Sequence, residues 1–429
     1  MPPRTRWLLL WIALAAVVVV RAGDRKPHRG VILDHLEFGR RLLAGEDLYA
    51  DWKSSLTAEP APLHAPYPPS FGLLTAPFAV VHATFGLTAA RVAWALLQVL
   101  AIAMLFAAMW RMPMPPPFVS ERERRWIALC VLLLLSRLVL RDTHGGGGNL
   151  INVAMCALAF ADAERGKEAR AGWWLGFSLA TKPTQAFLLP LFLLHGRKKT
   201  VSHALLCGTA CVALSVLLLR GEVAPWLRWL EGSLELARQT DAFAIPALQF
   251  PDFEWMNQSL RCATARWIGE VPPEFAQRVA WGVTPGLGLS APAAAWAARA
   301  ILLAMLAWLC AAAWNARRGI VDVDAASAGE RRTRQFAAAL VFSLLASPLS
   351  WKAHHVALVP AFCVLCLQAS RSRSRAMHAL LVAWFVCCGI GQAIVGDDGD
   401  EWLNSLYVMP AFDVLLFAAL LRRRDDLPK

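Results

Sequence analysis

The sequence predicts an all-α, polytopic integral membrane protein of about twelve transmembrane helices, with long extracytoplasmic loops. Three observations lead there. Hydrophobic residues make up 57% of the 429 positions and the mean hydropathy is +0.45, above the roughly 45–50% apolar content of a soluble domain. The apolar residues recur in blocks of about 15–24, the length that spans a bilayer. The lysines and arginines behind the formal charge of +12 cluster in short loops between blocks, which fits the positive-inside rule and not a nucleic-acid-binding face. No fixed-period repeat, low-complexity linker or separable soluble domain interrupts the pattern, so residues 1–429 read as a single transmembrane domain.

Taken in order, residues 7–20 are an apolar run behind Arg4 and Arg6. The run resembles a signal peptide, but the many spans that follow favour an uncleaved first helix. A basic N-terminus puts the start of the chain in the cytoplasm and 21–70 outside. Residues 71–86 are short, contain Pro77 and Gly86, and read as a segment that dips in and returns. Residues 88–110 cross to a basic, proline-rich loop, 126–140 cross out to Arg141-Asp142-Thr143-His144 and four glycines, and 149–161 return. The block 171–194 then joins two basic loops that both belong inside. A single crossing cannot do this. A helix pair broken at Lys182-Pro183 solves the parity and puts Lys182 near the outer surface, where non-helical backbone is tolerated if it lines a cavity. Residues 201–219 exit to a long outer loop over 220–290. The spans 291–314, 335–349, 354–369, 376–395 and 405–421 complete the alternation, with 397–404 outside. Of the ten cysteines, all but Cys262 lie in apolar blocks, which argues against a disulfide framework.

The long polar interval from Val31 to Phe71 is the first candidate for chemistry, because a loop of that length between apolar blocks is uncommon unless it carries function. It reads as the roof of a cavity at the membrane surface. Asp34 is its candidate base, against the blander reading of a helix N-cap. The same face collects Tyr67, His144, Asn149, Lys182, Asn257, Gln258, Trp351, His354 and His355. Ionisable and polar residues near membrane depth are costly and mark function more often than not. Each also has an ordinary reading: Lys182 can snorkel from a helix end, the histidine pair can sit at the interface, and Gly145 to Gly148 can be a plain turn or a backbone anion site. The chain lacks GxxxxGK[ST], HExxH and GxSxG. Its histidines and carboxylates are not at metal-ligand spacing, so no metal is expected.

Five short motifs in order resemble glycosyltransferase family 87, the polyprenol-phosphate-mannose-dependent mannosyltransferases of the GT-C membrane fold. They are Asp34 followed by Gly45-Glu46-Asp47-Leu48-Tyr49; Tyr67-Pro68-Pro69; Ala171-Gly172 followed by Lys182-Pro183; Asn257-Gln258-Ser259-Leu260 with Arg266; and Ser347-Pro348-Leu349-Ser350-Trp351 with His354-His355. Two places depart from the family pattern: Gly148-Asn149-Leu150-Ile151-Asn152 stands where Gly-Gln-x-Asn is usual, and Lys352 and Ala353 both separate the tryptophan from the histidines. The resemblance implies a polyprenyl-phosphate sugar donor, most often mannose, no nucleotide and no cofactor, and a glycolipid or glycan acceptor. It implies a multi-pass protein of the cell (plasma) membrane with its active site on the extracytoplasmic side. On that reading Asp34 is the catalytic base, with His354 or His355. Tyr67, Asn149, Lys182, Asn257, Gln258 and Trp351 bind substrate. A transporter of lipid-linked sugar is the competing reading. It predicts internal repeats and charges at the bilayer midplane, neither of which the sequence displays.

Overall fold

The structure is a computed structural model that describes residues 3–23, 30–49, 67–113, 120–240, 242, 254–277, 279–283, 285–317, 325–372 and 374–422. Asp51 and the Ala65-Pro66 pair of the first loop lie outside them. The described residues are helical throughout, with one isolated bridge between Gly269 and Leu289.

The hub is the helix Asn149–Glu164, in which every residue from Asn149 to Ala163 is buried. Ala154, Ala157, Ala159, Ala161 and Ala163 let neighbouring backbones come close, as small residues do between membrane helices. Phe160 stacks on Phe336 of the helix Ala325–Ala346 at 4.5 Å between ring centroids. On another side lies the helix Glu168–Thr181, which meets Lys198–Leu218 through Gly172 and Gly176, four residues apart. A Cβ on Gly172 would stand 2.4 Å from the Cβ of His203, and one on Gly176 would stand 2.4 Å from the carbonyl oxygen of Ala204. This is a small-xxx-small contact of the kind that holds helices together without a hydrophobic driving force.

Two breaks read from the sequence are present. The helix Phe71–Met109 is interrupted at Gly86, whose φ of 85° suits glycine alone. The pair Glu168–Thr181 and Pro183–Leu194 is bent by 119°. Asn152 closes the second break by donating from Nδ2 to the carbonyls of Ser178 at 3.0 Å and Lys182 at 3.2 Å.

By length and composition, four helices of the described residues are long and apolar enough to span a membrane: Phe71–Met109, Lys198–Leu218, Ala291–Asn315 and Lys352–Ser372. There are up to six if each bent pair counts once. Other crossings expected from hydropathy fall on shorter helices. Asn149–Glu164, with 16 residues, is about 24 Å long at 1.5 Å per residue, and it is wrapped by protein. The expected loop at 397–404 is instead helix, within Gly391–Ser405. The interval 220–290, expected to be a long loop, contains the helices Ala224–Arg238, Leu260–Ile268 and Pro273–Ala276.

Candidate active site

At one end of the hub helix lies a cavity of about 460 Å³. Six stretches far apart in sequence form its wall: Gly30-Val31, Tyr67, the segment from Arg141 to Asn149, Lys182 at the helix break, Met256, and Trp351 with Ala353 and His354.

The glycine run is where these stretches meet. The helix Ser136–Gly145 ends at Gly146, which is left-handed with φ 73°. The carbonyl of Gly145 accepts from the backbone N–H of Val31 at 2.9 Å. A side chain on Gly146 would press into Ile32, with its Cβ 2.7 Å from that of Ile32. The start of the helix Ile32–Ala44 therefore nests on the turn. A Cβ on Gly147 would fall 2.0 Å from Oδ1 of Asp142, so only glycine leaves room for that carboxylate.

Asp142 is fully buried. Its Oδ1 accepts from Asn149 Nδ2 at 2.7 Å and its Oδ2 from the Leu150 N–H at 3.1 Å. Burial pushes this carboxyl up to about 6, although the Leu150 N–H and the Asn149 amide work the other way. The other end of the Asn149 amide, Oδ1, accepts from Lys182 Nζ. Lys182 Nζ also lies 5.8 Å from the centroid of the Tyr67 ring, within cation–π range. A hydrogen-bonded chain thus runs Asp142–Asn149–Lys182 along the cavity.

Tyr67 stacks on Phe71 at 4.1 Å, and its hydroxyl is 3.1 Å from Nε2 of His35. Burial first, then the charge of Asp34, pushes the Tyr67 phenol up, so it stays a hydroxyl. His35 is held down to about 3, by burial and then by the positive charge of Lys182, and is neutral. His354 accepts at Nδ1 from the backbone N–H of Trp351 at 2.8 Å. Its neutral ring therefore keeps its proton on Nε2, as a donor.

The structure brings Tyr67, Asn149, Lys182, Trp351 and His354 together in this cavity. Asp34 is half-buried in the first turn of Ile32–Ala44, next to the wall residues Gly30 and Val31. The N-cap of that helix is Val31, without a side-chain cap bond, so Asp34 is not the cap. Three residues expected at the site lie elsewhere. His355 is fully buried, with Nε2 3.0 Å from Oδ2 of Asp413 and Nδ1 3.0 Å from the Trp351 carbonyl oxygen. Adjacent residues in a 3₁₀ turn point about 120° apart, so in the turn Lys352–Leu358 only one of the two histidines faces the cavity. Asn257 donates to the Pro348 carbonyl at 2.9 Å and accepts from the Ser350 N–H at 3.0 Å. Gln258 donates to the carbonyls of Trp255 at 2.7 Å and Asn404 at 3.1 Å. The Asn257 amide and the Gln258 backbone N–H, which donates to the Ser350 carbonyl at 2.6 Å, clamp the loop that presents Trp351.

The sequence profile of glycosyltransferase family 87 matches residues 65–348. The chain belongs to glycosyltransferase family 87. The matched span holds Tyr67, Asp142, Asn149 and Lys182, while Asp34, Trp351 and His354 lie beyond its ends. This family-87 chain is 28% identical over 389 residues to the polyprenol-phosphate-mannose-dependent alpha-(1-2)-phosphatidylinositol mannoside mannosyltransferase of Mycolicibacterium smegmatis, an alignment covering 89% of this chain and 80% of that protein. It is 27% identical over 393 residues to the protein of the same name from Mycobacterium tuberculosis, covering 89% and 81%. Among solved structures it is similar to ArnT from Cupriavidus metallidurans bound to undecaprenyl phosphate, with a TM-score of 0.37, 16% identity and coverage of 97% and 77%.

Asp142, His35 and Arg141 were not among the residues singled out from sequence. The signal for Asp142 was the run of four glycines just after it, since a glycine without apparent cause often marks the close approach of another group.

Proposed function

We propose that this family-87 chain transfers a sugar, mannose, from a polyprenyl-phosphate donor to a hydroxyl of a glycolipid or glycan acceptor, with inversion. We place the reaction at the outer face of the cytoplasmic membrane, in one transmembrane domain spanning residues 1–429. The observation behind this reading is the convergence of Tyr67, Asn149, Lys182 and His354 on one cavity beside Asp34. The mannose donor is taken from the names of the two mycobacterial relatives.

The acceptor oxygen attacks the anomeric carbon as the bond from that carbon to the phosphate oxygen breaks. Asp34 takes the acceptor's proton, and the polyprenyl phosphate leaves with the bonding electron pair. Lys182 and the Nε2–H of His354 stabilise the departing phosphate; groups aimed at developing charge lower the barrier most. A single direct displacement inverts the centre, so a β-linked donor gives an α-linked product. Tyr67 offers its aromatic face and hydroxyl to the sugar, and Asn257 and Gln258 act through the Trp351 loop.

The test is transfer from polyprenyl-phosphate [¹⁴C]mannose to a phosphatidylinositol mannoside by the purified protein, without nucleotide. Losing a general base typically costs about 10²–10⁴ in rate, so Asp34→Asn should bind donor and be nearly inactive, with Glu46→Gln mild. Near-normal turnover by Asp34→Asn removes the base assignment. Movement of intact donor across a bilayer with no transferred product refutes the transferase reading.

A further inference from the structure

Arg141 lies on the cavity wall, and the transfer reading gives it no role. It sits one turn beyond Arg137 on the helix Ser136–Gly145. Arg137 is held by Asp400, at 2.8 and 2.5 Å. The same carboxylate holds Lys352, at 3.1 and 2.9 Å. One anion therefore already serves two cations. For Arg141 the polar contact is with the sulfur of Met256, 3.9 Å from Nη2, and among the described residues no carboxylate pairs with it. Asp142, its neighbour in the chain, turns both oxygens to Asn149 and Leu150. Behind the wall, Arg137 and Lys352 share Asp400; of the three cations only Arg141 lines the cavity.

We propose that Arg141 binds the phosphate of the lipid donor, as a second cation beside Lys182. This rests on the reading of the chain as a lipid-phosphate sugar transferase. A guanidinium presents a fork of N–H donors matched to two phosphate oxygens, whereas an ammonium acts as a point charge. The chemistry also calls for two cations. The bound donor is a phosphodiester with one negative charge. When the bond to the sugar breaks, the phosphate becomes a monoester and gains a second. Lys182, tied to the neutral Asn149 amide, supplies one countercharge. Arg141, on the same cavity wall, supplies the other.

Binding of decaprenyl phosphate tests this without sugar transfer, with decaprenol as the uncharged control. The wild-type protein in detergent should prefer the phosphate, and raising the salt should weaken that preference. A charge-assisted hydrogen bond is typically worth enough to shift binding by about ten- to a hundredfold. Arg141→Ala should lose decaprenyl phosphate by that factor and bind decaprenol as before. Arg141→Lys should recover part of the loss, because it restores charge but not the fork. Arg141→Gln serves if the alanine variant fails to fold, as judged by its unfolding midpoint. Folded Arg141→Ala or Arg141→Gln protein that binds decaprenyl phosphate like wild type overturns the assignment. A wild-type protein that binds both lipids equally refutes the lipid-phosphate reading itself, and Arg141 falls with it.

Discussion

Replacing Asp142 by asparagine keeps the size of the side chain and should still weaken donor binding. An ionised Asp142 is acceptor-only, so it fixes the orientation of the Asn149 amide: Nδ2 toward Asp142 at 2.7 Å and Oδ1 toward Lys182. An asparagine at 142 has one oxygen to offer two donors, Asn149 Nδ2 and the Leu150 N–H. Either its own NH₂ faces a donor, or the Asn149 amide flips and turns its NH₂ toward the Lys182 ammonium. Each arrangement leaves a buried donor unsatisfied, at about 1–3 kcal/mol. If the amide flips, Lys182 loses its anchor, and donor KM should rise by roughly fivefold or more. The assay is a double-mutant cycle of Asp142→Asn and Lys182→Ala, read in donor KM and in the unfolding midpoint in detergent. Coupling of about 0.5–3 kcal/mol is expected for residues in one network; strict additivity, or an Asp142→Asn donor KM equal to wild type, refutes the chain from Asp142 to Lys182. The same substitution has a pH signature. The folded-state value of about 6 stands above the ordinary 3.8, so the folded form holds this proton more tightly. The resulting stability is fully present below the unfolded value and is lost as pH rises through 6. The stability of wild type relative to Asp142→Asn should therefore be greater at pH 4 than at pH 7.

The two adjacent histidines should separate cleanly. His354→Ala should fold and lose turnover, whereas His355→Ala removes a fully buried side chain that lies 3.0 Å from Asp413 and donates to the Trp351 carbonyl, and should lower stability by about 1–3 kcal/mol. Equal midpoints for the two alanine variants would contradict that division. For topology, cysteines placed singly on a cysteine-free background should react with an impermeant reagent from outside at Glu231 and not at Lys167. The reverse pattern inverts the orientation.

Several features could be read from the sequence because they follow from local constraints. A parity argument over basic loops required a break in 171–194, and Lys182-Pro183 sits in the middle of that block. Gly86 marked the other break. Tyr67, Asn149, Lys182, Trp351 and His354 stood out as polar or aromatic residues at the ends of apolar blocks, and helix ends on one side of a bundle converge. Asp142 lay beyond such reasoning. In sequence it belongs to a charged tetrad that looks like solvent-facing loop, and its burial depends on residues some forty positions earlier. Gln98 donates to the Asp142 carbonyl at 3.3 Å, and Trp94 to that of Gly147 at 3.2 Å. Asn257 and Gln258 show the opposite failure: a recognisable motif pointed to substrate, while their amides are occupied by backbone carbonyls. A motif marks which residues matter without saying whether they touch the ligand or hold the residue that does.

Two carboxylates now compete for the role of base, and their surroundings argue for different work. Asp142 lines the cavity, but each of its oxygens already accepts an N–H from its own chain. Taking a proton from the acceptor would require one of those bonds to give way. It would also release the Asn149 amide at the moment when Lys182 must hold a phosphate that is gaining charge, so the base and the anchor of the leaving group would undo each other. Asp34 stands on a different element, outside the segment from Arg141 to Asn149. It is half-buried in the first turn of Ile32–Ala44, beside the wall residues Gly30 and Val31. The division assigns proton transfer to Asp34 and leaving-group anchoring to Asp142. It therefore expects the Asp34→Asn lesion in kcat and the Asp142→Asn lesion in donor KM, a split that neither residue would give if both acted as bases.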